Sequence, residues 1–373
     1  MTEEKIEPVI PPPRLRRVEN LTPFSHFACD KMGPGRRFFD TVVVKGTFRL
    51  APERLVQAEA QPPIVISDRV WDPANAARSS LRIAGEVHLA KPGADVLVTG
   101  SARTPDGKPR PRWEAAVVVQ ESRRTILSHT VVAHGPRSWR FRALRGWVLG
   151  EAQPVAEVPL RYETAFGGAF LDREATARDG VPRFRVHPHN PSGTGFVDEA
   201  TLERERPLAA PQWELPGHPA GAPGAEIRVA GLGPVPRWWR SRLRHAGTYD
   251  EAWRAEARRC HRLGVPIDYA ADFDPRFFHC AAPELRLARP LRGDEVIGLT
   301  GLVGGHEQLV TSLPGVTLVA SLYPGRRPWV DERMPLDTVH IDLDAQTVSL
   351  LWRLVLDQDR GITGAMIRLG EGT

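Results

Sequence analysis

The chain has 373 residues, of which 41% are hydrophobic and 25% are charged. This balance is typical of a folded protein and excludes an intrinsically disordered one. The 50 basic and 45 acidic residues give a formal net charge of +5, and because the two signs are interspersed, the pattern predicts a mixed surface and no nucleic-acid partner. The length allows two or three domains, or one large β-rich domain.

Cysteine usage and the absence of long apolar runs predict the compartment. Cys29, Cys260 and Cys280 lie far apart and form no CxxC pair, which is typical of a reducing environment. The N-terminal stretch carries acidic residues and three consecutive prolines, where a signal peptide needs an apolar segment. No later run approaches the length of a membrane span. We therefore expect a cytoplasmic protein without membrane insertion.

Composition along the chain predicts how it is divided. Residues 1–20 are rich in proline and charge, which predicts an extended N-terminal tail. Residues 21–373 predict a single large β-rich domain. An alternative division has two lobes, an all-β part at 21–155 and a mixed part at 156–373 that ends in β structure.

Strand patterns dominate the first 150 residues. The run 38–50 is dense in β-branched and aromatic side chains and alternates in its second half, which predicts one buried and one solvated face. Further strand-like runs lie at 64–66, 81–89, 95–101, 113–120, 125–133 and 139–144. Their spacing predicts a mainly β fold with a few short helices (α+β), whose antiparallel sheets pack as a sandwich or open barrel.

Two glycine-rich stretches occupy the middle of the chain, at 166–170 and 190–196. A phosphate-binding loop leads from a strand into a helix and places a lysine behind the phosphates. Neither stretch has that context. We interpret both as tight backbone turns.

The stretch from 236 to 295 holds an uneven share of the aromatic residues in a chain that is 7% aromatic. Thr248 and Glu251 have the spacing of a capping box, which predicts a helix over 249–263 that ends at Gly264. Asp274 precedes Pro275 and predicts a short helical turn. The β pattern then returns at 295–302, 308–314 and 316–321, and the runs 338–344 and 347–356 predict a terminal hairpin.

A histidine pair offers the first candidate for chemistry. His187 and His189 lie two residues apart near Asp198, so a zinc site is conceivable. The pair alone supplies too few ligands to favour a metal. Loop histidines are more often solvated or hydrogen-bonded, and we expect no metal here.

Carboxylates and thiols offer two further candidates. Asp268, Asp272 and Asp274 could serve as paired carboxylates for glycoside cleavage, but capping and turn positions explain them better. The Cys-His pairs at 260–261 and 279–280 are adjacent, so their side chains point apart and cannot form a thiolate and base within one pair. A pairing of the first cysteine with the second histidine could arise only through the fold.

Seven stretches, in order over most of the chain, carry a resemblance to a known family. They are FDTVVVKGTFRL (39–50), KPGADV (91–96), GPRSW (135–139), PLRYETAFGG (159–168), NPSGTGF (190–196), AGTYDEAW (246–253), and DFDPRFFHCAAPELR with LRGDEV (272–286 and 291–296). Together they resemble a bacterial domain-of-unknown-function family encoded in type VI secretion clusters and described as effector adaptors or chaperones. The motif positions with expected structural roles are Tyr162, Glu163, Gly167, Gly168, Asn190, Pro191, Gly193, Gly195, Gly247, Thr248, Tyr249, Asp250, Trp253, Asp272, Asp274, Gly293 and Glu295.

The resemblance implies a non-enzymatic cytoplasmic loader. Such a protein would bind a secreted effector, or a spike-tip protein of the PAAR type or the spike trimer, and would aid loading onto the secretion spike. The family supplies no catalytic residues to carry over. We expect no cofactor.

A basic and aromatic group is our candidate for contacting the partner, because tryptophan and arginine dominate the binding energy of interfaces. Its members are Arg237, Trp238, Trp239, Arg240 and Arg242. An equally weighted alternative places both tryptophans in the core. Two other functions stay open: a metal-dependent or carboxylate-based hydrolase that uses 187–198 or 268–280, and a carbohydrate-binding β protein with exposed tryptophans.

Overall fold

A computed structural model describes residues 15–325 and 328–370. These residues are mainly β with a few short helices, as predicted. Three α-helices lie at Arg173–Asp179, Arg240–Leu243 and Glu251–Leu263. The 3₁₀ helices are Pro34–Arg36, Pro73–Arg78, Tyr162–Thr164, Glu199–Thr201, Pro275–Phe278, Pro283–Leu285 and Gln358–Arg360. None of the helices in this part of the chain is long and apolar enough to cross a membrane.

The largest sheet has seven strands and combines both ends of the chain. Its strand order is Ser25–Met32, Phe38–Arg49, Thr347–Asp357, Leu336–Asp342, Ala94–Thr99 and Arg286–Leu287, with Val56–Gln57 paired to the second of these. The antiparallel pairing of Leu336–Asp342 with Thr347–Asp357 confirms the predicted hairpin. Leu336–Asp342 also pairs in parallel with Ala94–Thr99, so residues far apart in sequence share one ladder.

The second sheet has six strands and packs on the same hydrophobic core. Its order is Trp213–Glu214, Arg124–His134, Arg112–Glu121, Val296–Thr300, Gln308–Ser312 and Glu53–Arg54. Smaller pairings complete the β structure: Ser138–Arg142 with both Gly146–Leu149 and Leu208–Ala209, Ser101–Arg103 with Glu157–Pro159, Phe166–Gly167 with Thr194–Gly195, Ala169–Leu171 with Phe184–Val186, and Arg69–Val70 with Leu81–Ile83.

A four-stranded sheet includes the last residues of the predicted extended N-terminal tail. Arg17–Asn20 is a strand that pairs in parallel with Gly364–Leu369, and the sheet continues through Leu318–Tyr323 to Val330–Met334. The tail prediction for 1–14 lies outside the described residues. Because Gly364–Leu369 follows the hairpin, the hairpin is not the last β element.

Phe38–Arg49 is buried on both faces, which contradicts the prediction of one solvated face: every residue from 40 to 48 is buried. One face packs on the main core, and the other is covered by the extended segments around Ile64 and Val87. The sequence predicted strands at 64–66 and 81–89 in these segments, but the strand there is Leu81–Ile83 alone. A buried ion pair between Lys45 and Glu86, 2.9 Å apart, holds them on the sheet instead.

A buried ionic network lies where these layers meet. Lys91 Nζ is 2.7 Å from Asp95 Oδ2, and neither side chain is exposed to solvent. Asp95 also bonds the Nδ1 atom of His279 at 2.7 Å. Asp337 lies 3.8 Å from Lys91 and accepts a 2.7 Å hydrogen bond from Arg353 Nε. The network joins the KPGADV motif at 91–96 to the segment at 279–280 and to both strands of the hairpin.

The stability of this layer should depend on pH through His340. Burial lowers the pKa of His340 from 6.5 to about 4, and its Nε2 atom lies 2.8 Å from Thr99 Oγ1. Above pH 6.5 the ring is neutral in both the folded and unfolded chain. As the pH falls from 6.5 toward 4, the unfolded chain takes up a proton that the folded chain does not, so the free energy of unfolding should decrease by about 3 kcal/mol.

Urea denaturation of wild type and His340→Gln at pH 7.5, 5.5 and 4.5 checks this. The variant should lose less stability than wild type on acidification, because it lacks the titrating ring. If both proteins lost the same amount of stability on acidification, the assignment of this pH dependence to His340 would be contradicted. The comparison is needed because burial also holds the pKa of His88 well below its usual value in the same region.

Candidate functional site

The motif-bearing loops in the middle of the chain are joined by one buried amide. Asn190 is fully buried, and its Nδ2 atom donates to the carbonyl oxygens of Tyr162 at 2.8 Å and Phe166 at 2.9 Å. Gly167 and Gly168 have φ of +146° and +120°, in the region where residues with a side chain are strained. The predicted turn is confirmed at the start of 190–196, where the backbone nitrogen of Gly193 donates to the carbonyl oxygen of Asn190. The prediction for 166–170 is corrected: this stretch forms the strand Phe166–Gly167 and the start of Ala169–Leu171, and Asn190 fixes it against the turn.

Replacing Gly167 with alanine should destabilise the fold. An added Cβ would lie 2.1 Å from the carbonyl oxygen of Asn190, and the positive φ adds backbone strain, so we expect a loss of about 1–3 kcal/mol. Thermal unfolding of Gly167→Ala beside Gly180→Ala checks this, because Gly180 also has a positive φ but has nothing within 4 Å of an added Cβ. Equal losses in the two variants would show that strain alone is responsible.

Two side chains of the YETAFGG motif fix neighbouring segments. Glu163 accepts hydrogen bonds from the backbone nitrogen of Ser80 at 2.6 Å and from its hydroxyl at 2.7 Å. The Tyr162 hydroxyl donates to the carbonyl oxygen of Gly233 at 3.1 Å, and its ring packs edge-on against Trp239 at 5.0 Å. Tyr162, held by these contacts, is itself part of the wall of the adjacent cavity.

The cavity has a volume of about 650 Å³ and is open to solvent, within the usual range for ligand pockets. Separate segments supply its walls, around 162, 187–189, 217–219, 226–235, 241 and 282–284. Apolar groups such as Val229 and Val235 alternate with polar ones. Ser241 belongs to this wall, is 5% exposed, and its hydroxyl has no hydrogen-bond partner among the described residues.

Three histidines line this cavity, and two of them are kept neutral. Burial lowers the pKa of His187 and of His189, and the charges of Arg240 and Arg244 add to the effect at His189. The Nδ1 atom of His187 accepts a 3.1 Å hydrogen bond from the backbone nitrogen of Asn190. At neutral pH these rings are hydrogen-bonding groups without charge. His218 is the third.

The structure does not assemble the zinc site that the HxH pair suggested. Among residues 15–325 and 328–370, no group of three His, Cys, Asp or Glu side chains is placed to hold a metal ion. Asp198 instead caps the turn Glu199–Thr201 by accepting from the backbone nitrogen of Ala200. The acidic group nearest to His187 is Glu226, at 3.9 Å from Nε2, and its side chain is 80% exposed.

The proposed partner-binding group divides into surface and interior residues. Trp238 is 48% exposed and Arg237 and Arg240 are also exposed. Trp239 is 1% exposed and Arg242 is 3% exposed, so these two positions of the prediction are corrected: neither can contact a partner. Arg242 instead donates to the carbonyl oxygens of Val235 and Phe277, which fixes the segment that presents Trp238.

The helix Glu251–Leu263 begins two residues later than predicted. Asp250, not Thr248, is the N-cap, and its carboxylate accepts from the backbone nitrogen of Trp253 at 2.8 Å. Thr248 is held by Asp272, which accepts from both its backbone nitrogen and its hydroxyl at 2.7 Å. The predicted end at Gly264 is confirmed, with φ of +67°.

The other carboxylates and thiols singled out from the sequence have structural partners. Asp274 caps the turn Pro275–Phe278, as predicted. Asp268 accepts from the backbone nitrogens of Gly35 and Arg36. Burial raises the pKa of the Cys280 thiol to about 12, which makes it a poor nucleophile at neutral pH.

The thiols and imidazoles of the two Cys-His pairs have separate partners. His279 bonds Asp95, whereas Cys260 lies 3.0 Å from an Arg36 nitrogen and 3.3 Å from Glu256. The last motif, LRGDEV, closes a turn in which Glu295 accepts from the backbone nitrogens of Arg292 and Gly293. His279 and Glu295, which belong to the quoted motifs, therefore make contacts that stabilise the fold.

Several cavity residues were missed in the sequence. Glu226, Arg228, Ser241 and Glu284 line the cavity, and Arg228 is paired with Glu284 at 2.8 Å. They come from three chain segments with no fixed spacing between them. A polar residue next to a motif, such as Ser241 after the tryptophan pair, was the only local signal of this wall in the sequence.

The fold and the cavity define a class of protein: a β-rich chain with an open pocket whose wall includes Tyr162 and residues 282–284 from two of its motifs. The family comparison then identifies it, because the family model described as "Uncharacterized protein conserved in bacteria (DUF2169)" matches residues 36–353. The chain belongs to this family. The resemblance to a bacterial domain-of-unknown-function family is thus confirmed. No curated protein and no solved structure matches the chain.

Proposed function

We propose that this protein is a non-enzymatic, cytoplasmic accessory protein of a type VI secretion system. It binds a cognate effector, or the spike-tip domain associated with that effector, and aids its loading onto the spike. The observation that carries the proposal is the exposure of Trp238, a large aromatic residue held at the surface by a rigid segment. Residues 235–241 place Val235 and Ser241 in the cavity wall and leave Trp238 at 48% exposure between them.

The surroundings of Trp238 suit a protein partner. Arg237 and Arg240 flank it, and Leu243 is 51% exposed one helical turn later. A solvent-exposed tryptophan with arginines beside it is the composition of an interface hot spot. The backbone nitrogen of Arg240 donates to the carbonyl oxygen of Pro188 at 2.8 Å, so the segment is ordered before a partner binds and loses little conformational freedom on binding.

The adjacent cavity gives the partner a place to insert side chains. Its neutral histidines can donate and accept hydrogen bonds, and its apolar walls can cover a buried side chain. The same cavity would suit a small substrate, which is why a hydrolase is the alternative. Zinc analysis of the purified protein separates the two, because stoichiometric metal would favour the enzyme.

Co-purification tests the proposed function. The chain is co-expressed pairwise with each protein encoded beside its gene, and we expect one effector or spike-tip protein to co-purify. The variant Trp238→Ala/Arg240→Ala should lose the partner while remaining folded. The matched control Trp329→Ala/Arg49→Ala, which removes another exposed tryptophan and arginine, should retain it. If no effector or spike-tip protein co-purified with the wild type or with the control, the proposal would be contradicted.

A further inference from the structure

A basic hairpin contributes no residue to the cavity wall. Its strands are Ser138–Arg142 and Gly146–Leu149. Residues 137–149 contain four arginines and no acidic residue. The side chain of Arg137 is 7% exposed and paired with Glu214, whereas Arg140, Arg142 and Arg145 are exposed and make no ion pair with any acidic side chain in the described ranges. The hairpin therefore presents three uncompensated positive charges.

The hairpin is anchored at its base and open at its end. Trp139 is 1% exposed, and its indole nitrogen donates to the carbonyl oxygen of Gly221 at 2.7 Å. Leu144 at the turn is 98% exposed. Phe141 and Trp147 face each other across the two strands with ring centroids 5.7 Å apart. The base fixes the orientation, and the end presents apolar groups beside the arginines.

The outer strand also has an open edge. In the three-stranded sheet, Gly146–Leu149 lies at one edge, with Ser138–Arg142 on its inner side. The backbone nitrogen of Gly150 donates to the carbonyl oxygen of Ser138 at 2.9 Å. Along an antiparallel pair, residues whose backbone groups bond the neighbouring strand alternate with residues whose backbone groups point away from it. Gly150 bonds Ser138, so the backbone groups of Trp147 and Leu149 point away from Ser138–Arg142. They can pair with an added strand.

We propose that this hairpin docks an extended acidic segment of the partner protein, which adds as a strand along Gly146–Leu149 and places carboxylates near Arg140, Arg142 and Arg145. This inference rests on the proposed function, since the segment belongs to the same partner. Charge complementarity favours an acidic occupant. A polypeptide is favoured over a lipid surface or a nucleic acid, because it can pair its own backbone with the outward groups of the edge strand.

Affinity measurements on the co-purifying partner test the hairpin. The variant Arg140→Gln/Arg142→Gln/Arg145→Gln should bind about tenfold more weakly at 0.15 M salt, and the difference should shrink at 0.5 M salt because salt screens exposed charges. The control Arg254→Gln/Arg258→Gln/Arg262→Gln removes the same charge from the helix Glu251–Leu263 and should bind like wild type. In the complex, the amides of Trp147 and Leu149 should exchange hydrogen more slowly.

The contrary outcomes separate this inference from the function it rests on. If a partner binds wild type and the hairpin variant equally, the docking proposal fails and the proposed function stands. If no neighbouring protein binds wild type, the proposed function fails and the docking proposal fails with it. Sedimentation with phosphatidylcholine vesicles containing 25% phosphatidylglycerol is the remaining arm: binding that the hairpin variant loses would assign the hairpin to lipid and overturn the polypeptide proposal.

Discussion

Replacing Asp95 with alanine should lower the free energy of unfolding by about 3–5 kcal/mol. The carboxylate of Asp95 is fully buried and is the shared partner of Lys91, His279 and the backbone nitrogen of Cys280. Its removal leaves the ammonium group of Lys91 in the interior with Asp337 at 3.8 Å as its remaining counter-charge. A buried charge without a close partner costs far more than the lost pair contributed.

Urea denaturation of Asp95→Ala measures this loss, with Asp294→Ala as the control because the side chain of Asp294 is 59% exposed. The control should change stability by less than about 0.5 kcal/mol. The double variant Lys91→Met/Asp95→Leu removes both charges and should be more stable than Asp95→Ala. A double variant as unstable as the single one would show that packing, not the unpaired charge, is responsible.

Replacing Trp239 with alanine should also destabilise the protein by about 3–5 kcal/mol, the usual cost of truncating a buried tryptophan. Trp239 is 1% exposed and packs against Tyr162, a residue of the cavity wall. The neighbouring Trp238→Ala should change stability by less than about 0.5 kcal/mol, since half of that side chain is already in solvent.

Denaturation curves of the two variants, together with partner binding, separate the roles of these adjacent residues. We expect Trp239→Ala to lose stability and Trp238→Ala to lose affinity without losing stability. If Trp238→Ala were the less stable of the two, the assignment of surface and interior in this segment would be wrong.

Local signals in the sequence predicted the elements whose contacts are themselves local. Asp274 before Pro275 and Gly264 after the charged helix act as caps where they were predicted. Thr248 did not, because both Thr248 and Asp250 can cap a helix and the choice is made by Asp272, which takes both donors of Thr248 from 24 residues away. That contact has no signature in the local sequence.

The main error in the predicted fold concerns the strand Phe38–Arg49, whose second face is buried and not solvated. The alternating pattern of 38–50 indicates one solvated face, but Lys45 on that face is paired with Glu86 and covered by extended segments. A single charged residue in a strand does not reveal whether it has a buried partner. The cavity was unpredictable for a related reason, since Tyr162, Glu226, Ser241 and Glu284 meet only after the loops fold.

Trp238 and Trp239 show how far the sequence alone could predict the binding site. The sequence indicated an aromatic and basic group and left open whether the tryptophans belong to the core or to an interface. In the structure, Trp239 packs in the core and Trp238 is half-exposed at the surface. Neighbouring residues of one turn point in different directions, so composition alone could not assign them.

Calorimetric titration of the co-purified partner into wild type and Trp238→Ala/Arg240→Ala tests partner binding through this segment most directly. We expect the wild type to bind and the variant to lose at least about 30-fold in affinity, the effect of a hot-spot residue worth about 2 kcal/mol. Circular dichroism should show the variant folded. Equal dissociation constants for two folded proteins would contradict the account.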